Sequence, residues 1–311
     1  MSPLNPNFPK VRPRRTMLYV SGDNPRHLEK SRELPADALV FDLHESTAME
    51  HKARARDNVV AAVGAGSFIG QELVVRPNPL NSERLAEDLD AIAALPIDAV
   101  LFSGINTRAD MLKAVAMLDA AGGERLPVMI MVESPLAVMH LEEILTATRR
   151  LSCVVVSTAN LCNGLRINVT PDRTGLLTIL SLVVLAARAH NVGVIDGAHV
   201  EVNDAKGCEF ACRQARDLGF DGKAVIHPVQ LPYTNDTFTP KPKEVEKKRA
   251  IITAMQDAEA EGRPYAVLDG RLLQPVELEA AQRCIAMFEA IEEREQAFNL
   301  CPGIYCSTQQ G

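Results

Sequence analysis

Eight short, unbroken apolar runs alternate with helical stretches along most of the chain. They cover residues 17–20, 38–43, 72–78, 99–104, 127–134, 153–158, 193–202 and 223–227 and are rich in valine, isoleucine and leucine. Continuous apolarity, in place of strict alternation, marks parallel strands covered on both faces. Between the runs, residues 109–121 place Met111, Val115 and Leu118 on one helical face, with Asp110, Lys113 and Asp119 elsewhere. Eight strands alternating with helices predict an α/β fold, a (β/α)8 barrel over residues 16–231. A doubly wound open sheet is the competing arrangement. No Gly-x-Gly-x-x-Gly follows any strand, which removes that fold's commonest ligand signature.

The pattern changes after Pro228. Pro232, Pro240 and Pro242 punctuate a polar link, residues 243–260 read as a charged amphipathic helix, and Asp269-Gly270 marks a turn. Residues 276–298 form a second long helix, apolar at Leu278, Ala281, Ile285, Phe288 and Ile291. Residues 232–311 are therefore expected to be a helical extension that packs on the barrel or on a neighbouring subunit. Residues 1–15, with four prolines and no apolar run, are expected to be an N-terminal arm and not a secretory signal.

Composition narrows the possible partners. Lysine plus arginine number 33 and aspartate plus glutamate 40, a net charge of −7. That balance supplies no field for phosphates, and the short cluster Arg12, Arg14 and Arg15 does not outweigh it, so nucleic acid is excluded as a partner. The best candidate membrane segment, residues 176–187, is too short to span and carries Thr178 and Ser181; it reads as a buried helix. Seven cysteines, scattered or at Cys208/Cys212 and Cys301/Cys306, fit reduced cytoplasmic thiols. A zinc pair at Cys208 and Cys212 would need partners that the sequence does not place nearby.

In a barrel, chemistry sits where strands end at their C-terminal side. The predicted ends are Ser21-Gly22-Asp23, Asp42 to Glu45, Arg76-Pro77-Asn78, Ser103-Gly104, Glu133-Ser134-Pro135, Ser157 to Asn160, Glu201 to Asp204, and His227-Pro228. Asp42, Glu45 and Glu133 bring carboxylates to one mouth. Arg76 offers a planar guanidinium for a substrate carboxylate, and Asn78 and Asn160 add neutral oxygen and amide groups. A hard cation such as Mg²⁺ takes one or two carboxylates, with water and substrate completing its shell. Such an ion beside an arginine suits a 2-oxo acid or an enolate. Any of these groups could equally be a solvated rim residue or a helix cap. No lysine ends a strand, because Lys223 opens the eighth, so a Schiff base is not expected. A nucleophile elbow is also absent.

Together these motifs resemble the citrate lyase beta subunit branch of the HpcH/HpaI aldolase family, the CitE-like acyl-CoA lyases. Residues 15–25 resemble the family's opening Arg-Ser-x-Leu-Phe-Val-Pro-Gly-Asp-x-Pro. Asp42-Leu-His-Glu45, followed by Lys52 and Arg56, resembles Asp-Leu-Glu-Asp and its basic residues. Arg76-Pro-Asn78 resembles Arg-Val-Asn, and Glu133-Ser-Pro135 resembles Glu-Thr-Pro. Residues 219–228 with Gln230 match Gly-Phe-x-Gly-Lys-x-x-Ile-His-Pro-x-Gln almost letter for letter, and Leu268-Asp-Gly270 matches a turn in the tail.

The resemblance implies a TIM barrel with a C-terminal helical extension in a homo-oligomer, often a trimer. It implies carbon–carbon cleavage or formation in hydroxy-carboxyacyl thioesters, so the expected partner is a small carboxylate or a CoA thioester. It further implies Mg²⁺ on Glu133 and Asn160, and Arg76 on the oxo-acid carboxylate. The chain departs from the pattern at four places. Asn160 replaces an aspartate of Glu-Asp-Leu, which predicts weak Mg²⁺ binding. Ser103-Gly104 replaces Pro-Lys, and His44 replaces a glutamate. Gln274 stands where the tail carries an aspartate acid/base. The catalytic candidates are then His44, Glu45 and Asp42. Two readings remain open: a diverged lyase or aldolase with another acid/base, and a non-catalytic relative that binds a small carboxylate or CoA ester or serves in a complex.

Overall fold

A computed structural model describes residues 11–299. Strands β1 (Thr16–Ser21), β2 (Ala38–Asp42), β3 (Glu72–Arg76), β4 (Ala99–Phe102), β5 (Val128–Val132), β6 (Leu151–Val156), β7 (Gly193–Asp196) and β8 (Gly222–Val225) close a parallel barrel in sequence order, β8 pairing with β1. Between them run helices α1 (Pro25–Ser31), α2 (Lys52–Gly64), α3 (Leu85–Ile92), α4 (Arg108–Ala120), α5 (Pro135–Met139), α6 (Leu141–Leu145), α7 (Thr158–Leu165), α8 (Leu177–Ala189) and α9 (Ala205–Leu218). The (β/α)8 barrel read from the apolar runs is the observed fold.

Alternation along each strand divides the apolar side chains into two layers. Met17, Val40, Val74, Leu101, Met131 and Ile195 fill the barrel, while Leu18, Phe41, Val75, Val100, Ile130 and Val154 face the helices. Both layers are dry, which is why the runs carry no polar alternation. Caps fix where the helices start. Asn24 accepts from the amides of Arg26 and His27 ahead of Pro25, and Thr107 with Asp110 forms a reciprocal capping box at α4.

Strand β7 is shorter than expected. It ends at Asp196, and Asp204 caps α9 by accepting from the amide of Gly207. The chain turns aside at Gly197, where an added Cβ would lie 2.7 Å from the Thr158 hydroxyl. Residues 201–204 therefore belong to the loop and helix cap instead of a strand end. The α8 segment is also less buried than its composition predicts: Leu180, Val183 and Ala187 are buried, but Leu182 and Leu185 are exposed. No helix among the described residues is long and apolar enough to cross a membrane.

Two arginines of the basic cluster before β1, Arg14 and Arg15, are engaged inside the barrel unit. Arg15 binds both carboxylate oxygens of Asp37, and Arg14 binds both of Glu72, so these guanidiniums do not form an anion-binding patch. Lys223 is likewise held, by Asp196 and by the carbonyl of Gly197.

The chain divides into two compact units, and residues 14–238 form the first. It includes helix α10 (Leu231–Phe238), which packs on α9, β8 and β1. The second unit, from residue 239, holds α11 (Pro242–Ala260), the hairpin β9 (Val267–Leu268) and β10 (Arg271–Leu272), and α12 (Pro275–Asn299). Its core is its own, built from Val245, Ile251, Ile252, Leu273, Ala281 and Ile285. Asp269 and Gly270 turn the hairpin with positive φ at both positions, the conformation an Asp-Gly pair favours. Gln274 lies exposed just before α12, where its backbone N–H donates to the Glu277 carboxylate. The pair Cys301/Cys306 lies outside the described residues. The five described cysteines are free thiols; Cys208 and Cys212 are buried in α9, and Cys212 contacts Thr234.

Candidate active site at the barrel mouth

Register creates the centre of the site. Asp42 and Arg76 are the last residues of β2 and β3 and are Cα partners in the sheet. Both continue the inward-facing alternation of Val40 and Val74, so their side chains meet at the top of the barrel. Arg76 donates from Nε to Asp42 Oδ1 at 2.7 Å and from Nη2 to Oδ2 at 2.8 Å. The amides of His44 and Ser46 also donate to Asp42. Burial alone would raise the Asp42 carboxyl, but Arg76 and these hydrogen bonds hold it down at about 2. Asp42 is thus a fixed anion that orients Arg76.

The face of Arg76 lies over Tyr19, with Cζ 5.0 Å from the ring centroid. Tyr19 is partly buried; desolvation of its phenol pushes the pKa well above the ordinary range, and its hydroxyl meets the Met131 sulfur. One donor edge of Arg76 remains, and there Nη1 donates to Glu45 Oε2 at 2.9 Å. The two carboxylates on Arg76 differ sharply. The Asp42 side chain is 1% exposed and the Glu45 side chain 51%.

The second half of the site comes from β4, β5 and α7. Glu133 follows β5 in the same inward alternation as Met129 and Met131. Its Oε1 accepts from the amide of Gly104 at 2.7 Å. Gly104 has φ +77°, which suits glycine and turns that amide toward Glu133. Asn160, in the first turn of α7, points Nδ2 at Glu133 Oε2 (3.3 Å) and Glu45 Oε1 (3.4 Å). Burial pushes the Glu133 carboxyl up, against the Gly104 and Asn160 hydrogen bonds.

The structure therefore brings Asp42, Glu45, Arg76, Glu133 and Asn160 into one connected chain of contacts. Two candidates stand apart. Asn78 turns its amide and its backbone N–H to Asp88 of α3 and does not line the cavity. The His44 ring is half-buried, and burial lowers its pKa, with Arg76 adding to the effect. His44 also does not line the cavity. Three contributors carry no role in the sequence analysis, Tyr19, Met131 and the amide of Gly104, and Lys52 enters there only as a motif residue. Lys52 is buried and donates to the carbonyls of Leu43 and His44, which fixes the loop carrying Glu45. The inward alternation of β1 and β5 was the available signal for Tyr19 and Met131.

A cavity of about 640 Å³ opens on the Asp42, Arg76 and Glu45 side of this constellation, and Glu133 and Asn160 are not among its lining residues. Tyr19, Asp42, Glu45, Arg76, Met131 and Thr158 are among its lining residues. Ile226, His227 and Pro228 also line it, with His27 and Lys30 of α1 and Leu34 beyond that helix. A pinned guanidinium and the side chains of His27 and Lys30 thus share one mostly apolar cavity.

The donor set fits a hard cation of modest affinity. Glu133 Oε2 and Glu45 Oε1 are each held only by a long contact from the same amide, and that amide also carries an oxygen. Two carboxylates with a neutral oxygen meet the minimum Mg²⁺ asks of a protein. Among the described residues, no three His, Cys, Asp or Glu side chains converge as a denser metal site would require.

Comparison with known proteins agrees with this architecture. The HpcH/HpaI aldolase/citrate lyase family matches residues 15–228. A (3S)-malyl-CoA thioesterase of Cereibacter sphaeroides is 36% identical over 282 residues, covering 91% of this chain and 97% of that protein. The citrate lyase subunit beta of Escherichia coli is 30% identical over 293 residues, covering 92% and 97%. Among solved structures, CitE of Mycobacterium tuberculosis in complex with magnesium, acetoacetate and coenzyme A superposes with a TM-score of 0.70 at 20% identity, covering 91% of this chain and all of that one. With the barrel, the motif residues at its mouth and these matches in agreement, the chain belongs to the HpcH/HpaI aldolase/citrate lyase family.

Proposed function

We propose that the barrel mouth binds a carboxylate-bearing acyl thioester and that the chain is a diverged carbon–carbon lyase acting on it with Mg²⁺. The observation that carries this reading is the state of Arg76. It is buried, pinned by both oxygens of Asp42 and stacked on Tyr19, yet one donor edge faces an exposed, exchangeable carboxylate. That is a preorganised seat for a planar anion. Lys30 and His27 on the same cavity suit the anionic part of a CoA thioester, and the relatives' names point to malyl-CoA and citrate.

The residues supply the following chemistry. Arg76 orients the carboxylate next to the substrate's hydroxyl. Glu45, beside it, takes the hydroxyl proton. The carbon–carbon bond then breaks, the hydroxyl carbon becomes the carbonyl of a 2-oxo acid, and the electron pair passes to the thioester as an enolate. That enolate ends as the acyl thioester on taking a proton. The proton that Glu45 took from the hydroxyl balances that step, and Glu133 stays ionised to hold the metal. Mg²⁺, held by Glu133 and Asn160, would supply positive charge for the oxygens of the 2-oxo acid. Asp42 positions Arg76, and Asn78 ties the end of β3 to α3. Free thiols throughout the described residues support a reducing, cytoplasmic setting, and kinship with the family supports a homo-oligomer.

Thioester hydrolysis is the second reading, favoured by the thioesterase name of the 36% identical relatives. Both reactions start from the same bound substrate and differ in the bond that breaks. Malyl-CoA incubated with the protein and resolved by chromatography separates them. Cleavage gives acetyl-CoA and glyoxylate, whereas hydrolysis gives malate and free CoA. Binding without either product would assign the chain to the non-catalytic branch.

A further inference from the structure

We infer that Glu45 is a built-in competitor for the anion seat on Arg76, occupying it until a substrate carboxylate displaces it. This deepens the carboxylate-binding reading and rests on it. The argument begins with the inequality of the two anions on the guanidinium. Asp42 receives two short bonds from Arg76 and two more from backbone amides, and it is sealed from water. It cannot leave without stranding a buried charge. Glu45 receives a single bond from Nη1, and its other oxygen has only the 3.4 Å contact from Asn160. Half exposed at the cavity wall, it can exchange its protein partner for water at little cost.

The backbone around Glu45 is fixed while its side chain is not. Lys52 grips the carbonyls of Leu43 and His44, and Asp42 grips the amides of His44 and Ser46. Displacement therefore needs only rotation about the Glu45 side-chain bonds. One carboxylate replaces another on Nη1, so Arg76 is paired before and after binding. The seat becomes selective as a result: a neutral analogue offers nothing in exchange for the bond it breaks. It also lowers apparent affinity, since only the displaced fraction of molecules is competent to bind.

Calorimetric titration of pyruvate into wild type, Glu45→Gln and Glu45→Ala, in excess Mg²⁺ and again in EDTA, tests this. Glu45 is exposed enough that neither change threatens the fold. Binding of pyruvate should tighten roughly three- to tenfold in Glu45→Ala, the range expected for removing one partly solvated ion pair, with a smaller gain in Glu45→Gln. Pyruvamide, which lacks the carboxylate, should gain nothing. Unchanged or weaker pyruvate binding in Glu45→Ala, with wild type binding normally, overturns the inference and leaves the carboxylate seat standing. Absence of pyruvate binding in all three proteins under both conditions overturns the seat as well.

Discussion

Asp42 and Arg76 show how much one pair of residues decides. Their side chains meet because the β2–β3 register aligns two strand ends of the same inward phase. The Asp42 carboxyl falls from its ordinary 3.8 to about 2 in the folded chain. A depressed carboxylate pKa contributes stability that is fully present above the unfolded value and is lost as pH falls through the folded one. Stability from this pair should therefore be intact near pH 5 and drop by about 2 kcal/mol between roughly pH 4 and pH 2. Urea unfolding of wild type and Asp42→Asn across that window checks it. The variant should lose about 3–5 kcal/mol at pH 7, because a buried guanidinium loses its partner, and its stability should depend less on pH below 4. At Asn160, substitution by aspartate restores a second charge beside Glu133. Mg²⁺ binding should tighten by tenfold or more in Asn160→Asp, read by calorimetry with the metal alone; equal or weaker binding would remove Asn160 from the metal assignment.

At the scale of elements, the strands were legible because both of their faces are dry, and the eight apolar runs correspond to the eight strands. What the pattern could not give was where a strand stops. Strand β7 ends early because Gly197 packs against Thr158 with no room for a Cβ, a contact between residues 39 positions apart. Strand β4 stops at Phe102, and Gly104 beyond it takes a positive φ so that its amide reaches Glu133. The sequence reading treated Ser103-Gly104 as a lost motif, whereas its backbone supplies a donor to the site. Gly104→Ala would keep the space, since its Cβ meets nothing closer than 3.5 Å, but would strain the backbone. Chemical denaturation should find a loss of about 1–2 kcal/mol, with ligand affinity falling as Glu133 shifts. Asn78 is the converse case. Its position at a strand end pointed to substrate, but Asp88 of α3 claims its amide, and a helix residue ten positions away leaves no periodic signal.

For the whole molecule, the sequence placed the change of character near residue 232, while the compact barrel unit extends to residue 238 because α10 packs on α9, β8 and β1. The sequence predicted only a helical extension seeking a surface to pack on, whereas α11, the Asp-Gly hairpin and α12 enclose a core of their own. That core is testable. Ile285→Ala should cost about 2–5 kcal/mol within the unit that holds it, seen as faster hydrogen exchange in peptides of residues 242–299. The central claim, however, concerns the barrel mouth, and it depends on the planar fork of Arg76 rather than on its charge. The most direct measurement is calorimetric titration of malyl-CoA into wild type and Arg76→Lys, with circular dichroism to verify the fold. Binding by wild type with at least a tenfold loss in the lysine variant is the predicted result. Equal affinity in the two proteins would contradict the account, because Arg76 would then hold only Asp42 and Glu45 and never a substrate.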